Sequence, residues 1–192
     1  MLPVRPADRH RAVAARFSEL VAGTTDWGAP APVEGWTARD VVGHLVGWFP
    51  QLVAAGGGPA WPVGPAPAQD PAAAWQAQAA GVQGLLDDPA TAASPLTHPQ
   101  LPPGNLADIA DQYYTSDVFM HCWDLATATG QHAELDPDEC ERLLAGMEPI
   151  ERMLRASGQY GPRVEVSAEA DPQTRLVGFL GRSPNWKPPV RN

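Results

Sequence analysis

The chain has 192 residues, 44% of them hydrophobic, with 13 basic and 22 acidic side chains for a formal charge of −9. That length is enough for one well-cored domain, and no shift of composition marks a second. Between Arg39 and Arg142 there is no Lys or Arg while Asp and Glu recur, so this acidic middle repels phosphate backbones and anionic lipid and suits a cation.

Nucleic acid and membrane surfaces are therefore not expected partners. The first ten residues, MLPVRPADRH, lack an apolar core of the leader type. No later run approaches the roughly 18 apolar residues of a membrane span, and a soluble, cytoplasmic protein is expected. Cys122 and Cys140 stand at no metal-ligand spacing and read as buried thiols.

Residues 7–22, ADRHRAVAARFSELVA, place Val13, Phe17, Leu20 and Val21 at helical spacing, and Gly23 stops the run. His10 falls in a segment read as exposed. A second helix over 38–55 starts at a capping box of Thr37 and Asp40, with Val41, Leu45, Trp48 and Leu52 as its apolar stripe. Pro50 is expected to kink it, because the ring clashes with the carbonyl of Val46.

Asp70-Pro71, Asp136-Pro137 and Asp171-Pro172 each supply a capping carboxylate followed by a proline where no backbone donor is missed, so each should start a helix. The first helix is weakened by Gly81 and Gly84. The second is read as one helix with Cys140, Leu143, Leu144, Met147, Ile150 and Leu154 on one face and Gly158 beyond its end. The third is short, with Leu176, Val177 and Leu180 apolar. Between the first two, Asn105 can cap a long fourth helix ended by Gly130.

The Pro/Gly-rich connections 56–69 and 89–104 read as surface loops. Val164-Glu165-Val166 is the one strand-like run, too short for a sheet core. The fold class is all-α: an antiparallel up-and-down four-helix bundle with one or two short extra C-terminal helices. It forms a single domain, the bundle over about 5–157 and an extension over about 158–192.

The fourth helix is apolar nearly all round, yet it carries Asp117, His121 and Asp124 along one strip, with Tyr113 one turn before. Ionisable groups are rarely left inside a bundle without partners. On the second helix, His44 lies on the inward side. A pair at i and i+4 with a third ligand from a neighbouring helix is how bundles build metal sites. A His, His, carboxylate set suits zinc, nickel or iron and leaves positions open for water or substrate. Asp124, or a backbone carbonyl, could hold the free ring nitrogen of one histidine, and Tyr113 is a further candidate for an outer contact. Taken singly, an inward histidine or an Asp/His pair is more often a hydrogen-bonded core feature. Trp48, Trp123 and Tyr113 are more often packing than a substrate box. Cys122 points about 100° away from His121 and is not expected in the set. His98 and His132 receive no role. No nucleophile elbow, phosphate loop or dinucleotide fingerprint is present.

Three stretches carry more: WTARDVVGHL at Trp36 to Leu45, DVFMHCWDLATATG at Asp117 to Gly130, and DPQTRLVGFLGRSP at Asp171 to Pro184. Together they resemble actinobacterial metal-binding proteins of the DinB-like superfamily, related to the N-terminal domain of mycothiol-dependent maleylpyruvate isomerase. The resemblance implies an up-and-down four-helix bundle with one divalent metal, commonly zinc. A histidine of the second helix and a carboxylate-x-x-x-His pair of the fourth hold it, here His44, Asp117 and His121. The isomerase carries Glu where this chain has Asp117, which shifts the ion by about a C–C bond and leaves zinc, nickel and iron open. The chain lacks room for the isomerase's full C-terminal domain, so that substrate does not carry over.

The implied activity is enzymatic. The metal activates a low-molecular-weight thiol, mycothiol in the relatives, for S-transfer or thiol-assisted isomerisation of a small electrophile. Metal-dependent hydrolysis and a non-catalytic metal or small-ligand module are the alternatives. The protein is expected as a monomer or homodimer.

Overall fold

The computed structural model describes residues 1–99 and 101–189. Its helices are α1 (Pro6–Gly23), α2 (Ala38–Ala55), α3 (Pro71–Asp87), α4 (Ser116–Thr129), α5 (Pro137–Met147), α6 (Glu151–Ala156) and α7 (Pro172–Phe179). The protein is thus an all-α helical bundle. α1 packs along α3 and α4, α2 packs along the same two helices, and α7 packs on α5. Phe17, Leu45, Phe49, Trp75, Val118 and Leu125 are fully buried where these helices meet. Each such side chain contributes roughly 1.5–3 kcal/mol of apolar burial.

Local chemistry explains where the helices begin. The Asp40 carboxylate accepts from the Thr37 backbone N–H at 2.8 Å and from its hydroxyl at 2.6 Å, which opens α2. Asp70, Asp136 and Asp171 each accept from the backbone N–H three residues on, at 2.9, 3.0 and 3.0 Å, as the Asp-Pro pairs predict. Asp88-Pro89 does the same for a single turn, Pro89–Ala92. The turn sits in a connection that also holds a two-residue antiparallel ribbon, Pro95–Leu96 against Gly104–Asn105. α2 runs through Pro50, and its buried face is Val42, Leu45, Phe49 and Val53. Trp48 and Leu52, assigned to that stripe by sequence, are only partly buried.

Three expectations need correction. The long fourth helix is not uniform: Asn105 caps it through a 2.8 Å bond from the Asp108 N–H, but a π-helical segment, Ala110–Thr115, intervenes between the first turn, Leu106–Ile109, and α4. Each π turn accommodates an extra residue, so side chains before it lose the α-helical register of those after it. The helix read from Pro137 onward breaks after Met147 into a 3₁₀ turn, Glu148–Ile150, followed by α6. Pro149 lacks the N–H and crowds the carbonyl of Ala145, and Ile150 and Met153 consequently stand 41% and 63% exposed. Finally, Val164-Glu165-Val166 forms no strand: the Val164 N–H donates to the Gly178 carbonyl at 2.9 Å and lays the segment against α7.

Gly130 ends α4 with φ 69°, and the Gln131 N–H returns to the Ala126 carbonyl at 2.8 Å. No helix among the described residues is long and apolar enough to cross a membrane.

Candidate metal centre

α2 and α4 bring His44, Asp117 and His121 together. His44 Nε2 lies 2.9 Å from Asp117 Oδ2, and His121 Nε2 lies 3.4 Å from Asp117 Oδ1. One ligand atom from each of the three falls within 4.8 Å of the others. Donor atoms about 2.0–2.2 Å from a shared tetrahedral ion stand roughly 3.3–3.6 Å apart, so a cluster whose ligand atoms all lie within 4.8 Å of one another could hold a cation. His121 is 5% exposed, Asp117 19% and His44 33%. His121 is thus the most enclosed of the three and His44 the most exposed.

Aromatic rings wall the group. Trp36 stacks on His121 with centroids 5.8 Å apart and planes 19° apart, and lies 5.2 Å from His44. Trp48 donates its indole N–H to Asp117 Oδ2 at 2.9 Å. Burial alone would raise the Asp117 carboxyl, but the neighbouring His121 and His44 rings and the Trp48 N–H hold it below its ordinary value.

Behind His121 lies Asp124, 1% exposed, whose Oδ2 is 2.8 Å from His121 Nδ1. A carboxylate accepts, so Nδ1 donates there, and Nε2 is the ring nitrogen turned toward Asp117. Asp124 also accepts from Arg182, at 3.0 Å from Nη2 and 3.3 Å from Nε. Burial pushes its carboxyl up, and Arg182 and His121 outweigh that to leave it lowered. The C-terminal end of α7 delivers the arginine. Gly181 takes φ 84°, the Arg182 N–H returns to the Val177 carbonyl at 3.1 Å, and its Nη1 donates to the Leu180 carbonyl at 2.8 Å.

Of the two outer contacts foreseen in sequence, Asp124 meets His121. Among the described residues no side-chain hydrogen bond joins Tyr113 to Asp117 or His121. The π segment instead buries Tyr114, which stacks on Phe49 at 4.4 Å and lies 5.7 Å from Trp48. His10 is also corrected: it is fully buried, with Nδ1 3.0 Å from Thr115 Oγ1, and burial lowers its pKa to about 4. Cys122 and Cys140 are buried thiols raised by burial to about 12, unsuited to act as thiolates. His132 is exposed beside Glu134 at 2.8 Å. Sequence reasoning gave Arg182 no role, although the stretch containing it was singled out, and took Trp48 for packing.

A family model described as the mycothiol maleylpyruvate isomerase N-terminal domain matches residues 10–126, a span that includes His44, Asp117, His121 and Asp124. The chain belongs to that family. Within the mycothiol maleylpyruvate isomerase N-terminal family, it is similar to an uncharacterized protein of Mycobacterium tuberculosis found in two strains. They are 31% identical over 186 residues, which cover 93% of this chain and 98% of the relative. No solved structure matches. α7 and Arg182 fall outside the matched span, so in this family member a contact from beyond the family domain reaches Asp124.

Proposed function

We propose that this protein is a metal-dependent enzyme that uses a low-molecular-weight thiol, mycothiol being the one its family name carries, for S-transfer or thiol-assisted isomerisation of a small electrophile. His44, Asp117 and His121 would hold one divalent cation, and two imidazoles with one carboxylate favour zinc over the hard, oxygen-seeking ions. When bound, the cation supplies the Lewis acidity that stabilises a thiolate near neutral pH.

The protein's own residues account for the rest. Asp124 fixes the tautomer of His121, Arg182 keeps Asp124 charged in a buried setting, and Trp36 and Trp48 shape an aromatic rim. The single observation that carries the reading is the partial exposure of His44, 33%, in a compact cluster of three ligand atoms. A purely structural site would be closed by a fourth side chain. Neither buried cysteine competes as nucleophile, so the reactive sulfur comes from a small molecule.

The test is calorimetric titration of the zinc-loaded protein with mycothiol, cysteine and glutathione. Selective binding of mycothiol that disappears in the metal-free protein is expected. Zinc-loaded protein that ignores all three thiols would remove the thiol chemistry and leave the hydrolytic or binding alternatives.

A further inference from the structure

We propose that Trp48 is a positioning residue for the metal centre, its indole N–H pinning the Asp117 carboxylate in the orientation that faces the two histidines. The inference rests on the metal-site reading above and goes beyond it by assigning a role to a residue outside the ligand set.

The last torsions of histidine and aspartate are both soft, but His121 is already held at Nδ1 by Asp124, so Asp117 needs a partner of its own. The last torsion of an aspartate is a broad, two-fold sp³–sp² rotation, so the carboxylate plane is undefined until something holds it. His44 Nε2 and Trp48 Nε1 both meet Asp117 Oδ2 at 2.9 Å, which leaves Oδ1 toward His121 at 3.4 Å. Trp48 is four residues after His44, so one face of α2 presents a candidate ligand and the clamp for the opposing carboxylate.

Indole suits that task chemically. Its N–H donates and cannot accept, so it does not ligate a cation itself, and being neutral it does not repel one. An arginine in its place would hold the carboxylate but cancel its charge. The ring is in turn fixed, with Phe49 at 5.5 Å and Tyr114 at 5.7 Å between centroids. Tyr114 belongs to the π-helical segment, and it stacks on Phe49 with planes only 16° apart. The register shift before α4 thereby braces the clamp, in keeping with the frequent placement of π turns at functional sites. Packing alone does not explain Trp48, because Phe49 next to it is fully buried while Trp48 is not.

Trp48→Phe removes the N–H and keeps a ring against Tyr114 and Phe49. Phe49→Leu disturbs the same aromatic cluster and leaves the N–H in place. Zinc affinity is measured for wild type and both variants by competition with a chromophoric chelator, alongside thermal unfolding. The expected result is a tenfold or greater loss in Trp48→Phe, of the size seen when partners of metal ligands are removed, with a clearly smaller loss in Phe49→Leu, which loosens the brace but keeps the N–H, despite a lower Tm. In proton–nitrogen spectra the indole resonance missing from Trp48→Phe should be the one that moves most when zinc is added to wild type. Wild-type zinc affinity in Trp48→Phe would overturn the positioning role and leave the metal site standing, as would equal losses in both variants. A wild-type protein that binds no zinc would overturn the metal reading and this inference with it.

Discussion

Arg182→Met tests how much of the fold depends on the buried charge pair behind His121. The guanidinium makes two contacts to Asp124, at 3.0 and 3.3 Å, and the two side chains are 13% and 1% exposed. Methionine preserves much of the apolar stem but strands a carboxylate that has no route to water. Removing one partner of a buried pair costs about 3–5 kcal/mol. The remaining bond to His121 Nδ1 at 2.8 Å and the slight exposure of Arg182 place this case near the lower end, about 3 kcal/mol. For a chain of this size each kcal/mol moves Tm by about 2–4 °C, so a drop of roughly 6–12 °C is expected by calorimetry, with a matching loss in urea titration. Arg175→Met is the comparison: Arg175 pairs with Glu141, and these are 28% and 52% exposed, so its loss should stay below about 1 kcal/mol. If Arg182→Met is no more destabilised than Arg175→Met, the argument that Asp124 needs its arginine is wrong.

Three further outcomes are expected. Burial lowers His10 from 6.5 to about 4, so over that interval the unfolded chain binds a proton that the folded protein refuses. Its contribution is therefore complete above pH 6.5 and falls as pH drops toward 4, by about 3 kcal/mol in total. The urea-denaturation slope against pH should be shallower in His10→Leu than in wild type, and identical slopes would contradict this. Gly81→Ala and Gly84→Ala should move stability in opposite directions. A Cβ at Gly81 would meet the Trp61 ring at 2.0 Å, which costs about 1–3 kcal/mol, whereas Gly84 has nothing within 4 Å and gains up to about 1 kcal/mol of helix propensity. Zinc at a hundredfold excess over its Kd should add about 2.7 kcal/mol to stability, and a chelator or Asp117→Asn should abolish the rise in Tm.

Much of the bundle was legible because its signals are local. Asp-Pro pairs mark helix starts whatever the surroundings, and Asn105 and Gly130 bracket the fourth helix by capping chemistry alone. The cluster of His44, Asp117 and His121 was legible because i and i+4 spacing on α4 survives folding and the inward face of α2 supplies the third group. The π segment that contains Tyr113 was not legible, because nothing in ADQYYT announces it: the stretch contains neither proline nor glycine. His10 was legible and misread. It lies three residues before Val13 and seven before Phe17, on the buried stripe of α1, where a polar residue needs a partner such as Thr115. Pro149 likewise signals the break between α5 and α6. Arg182 is different in kind. It reaches Asp124 across 58 residues of sequence through the turn at Gly181, and no periodicity encodes a contact of that separation.

The most direct test of the metal centre is elemental analysis of protein purified without chelator, performed in parallel on wild type and His121→Ala. About one equivalent of a divalent transition metal per chain, zinc by the donor set, should accompany wild type and be lost from the variant. Metal-free wild type, or a variant that keeps its ion, would contradict the assignment of His44, Asp117 and His121.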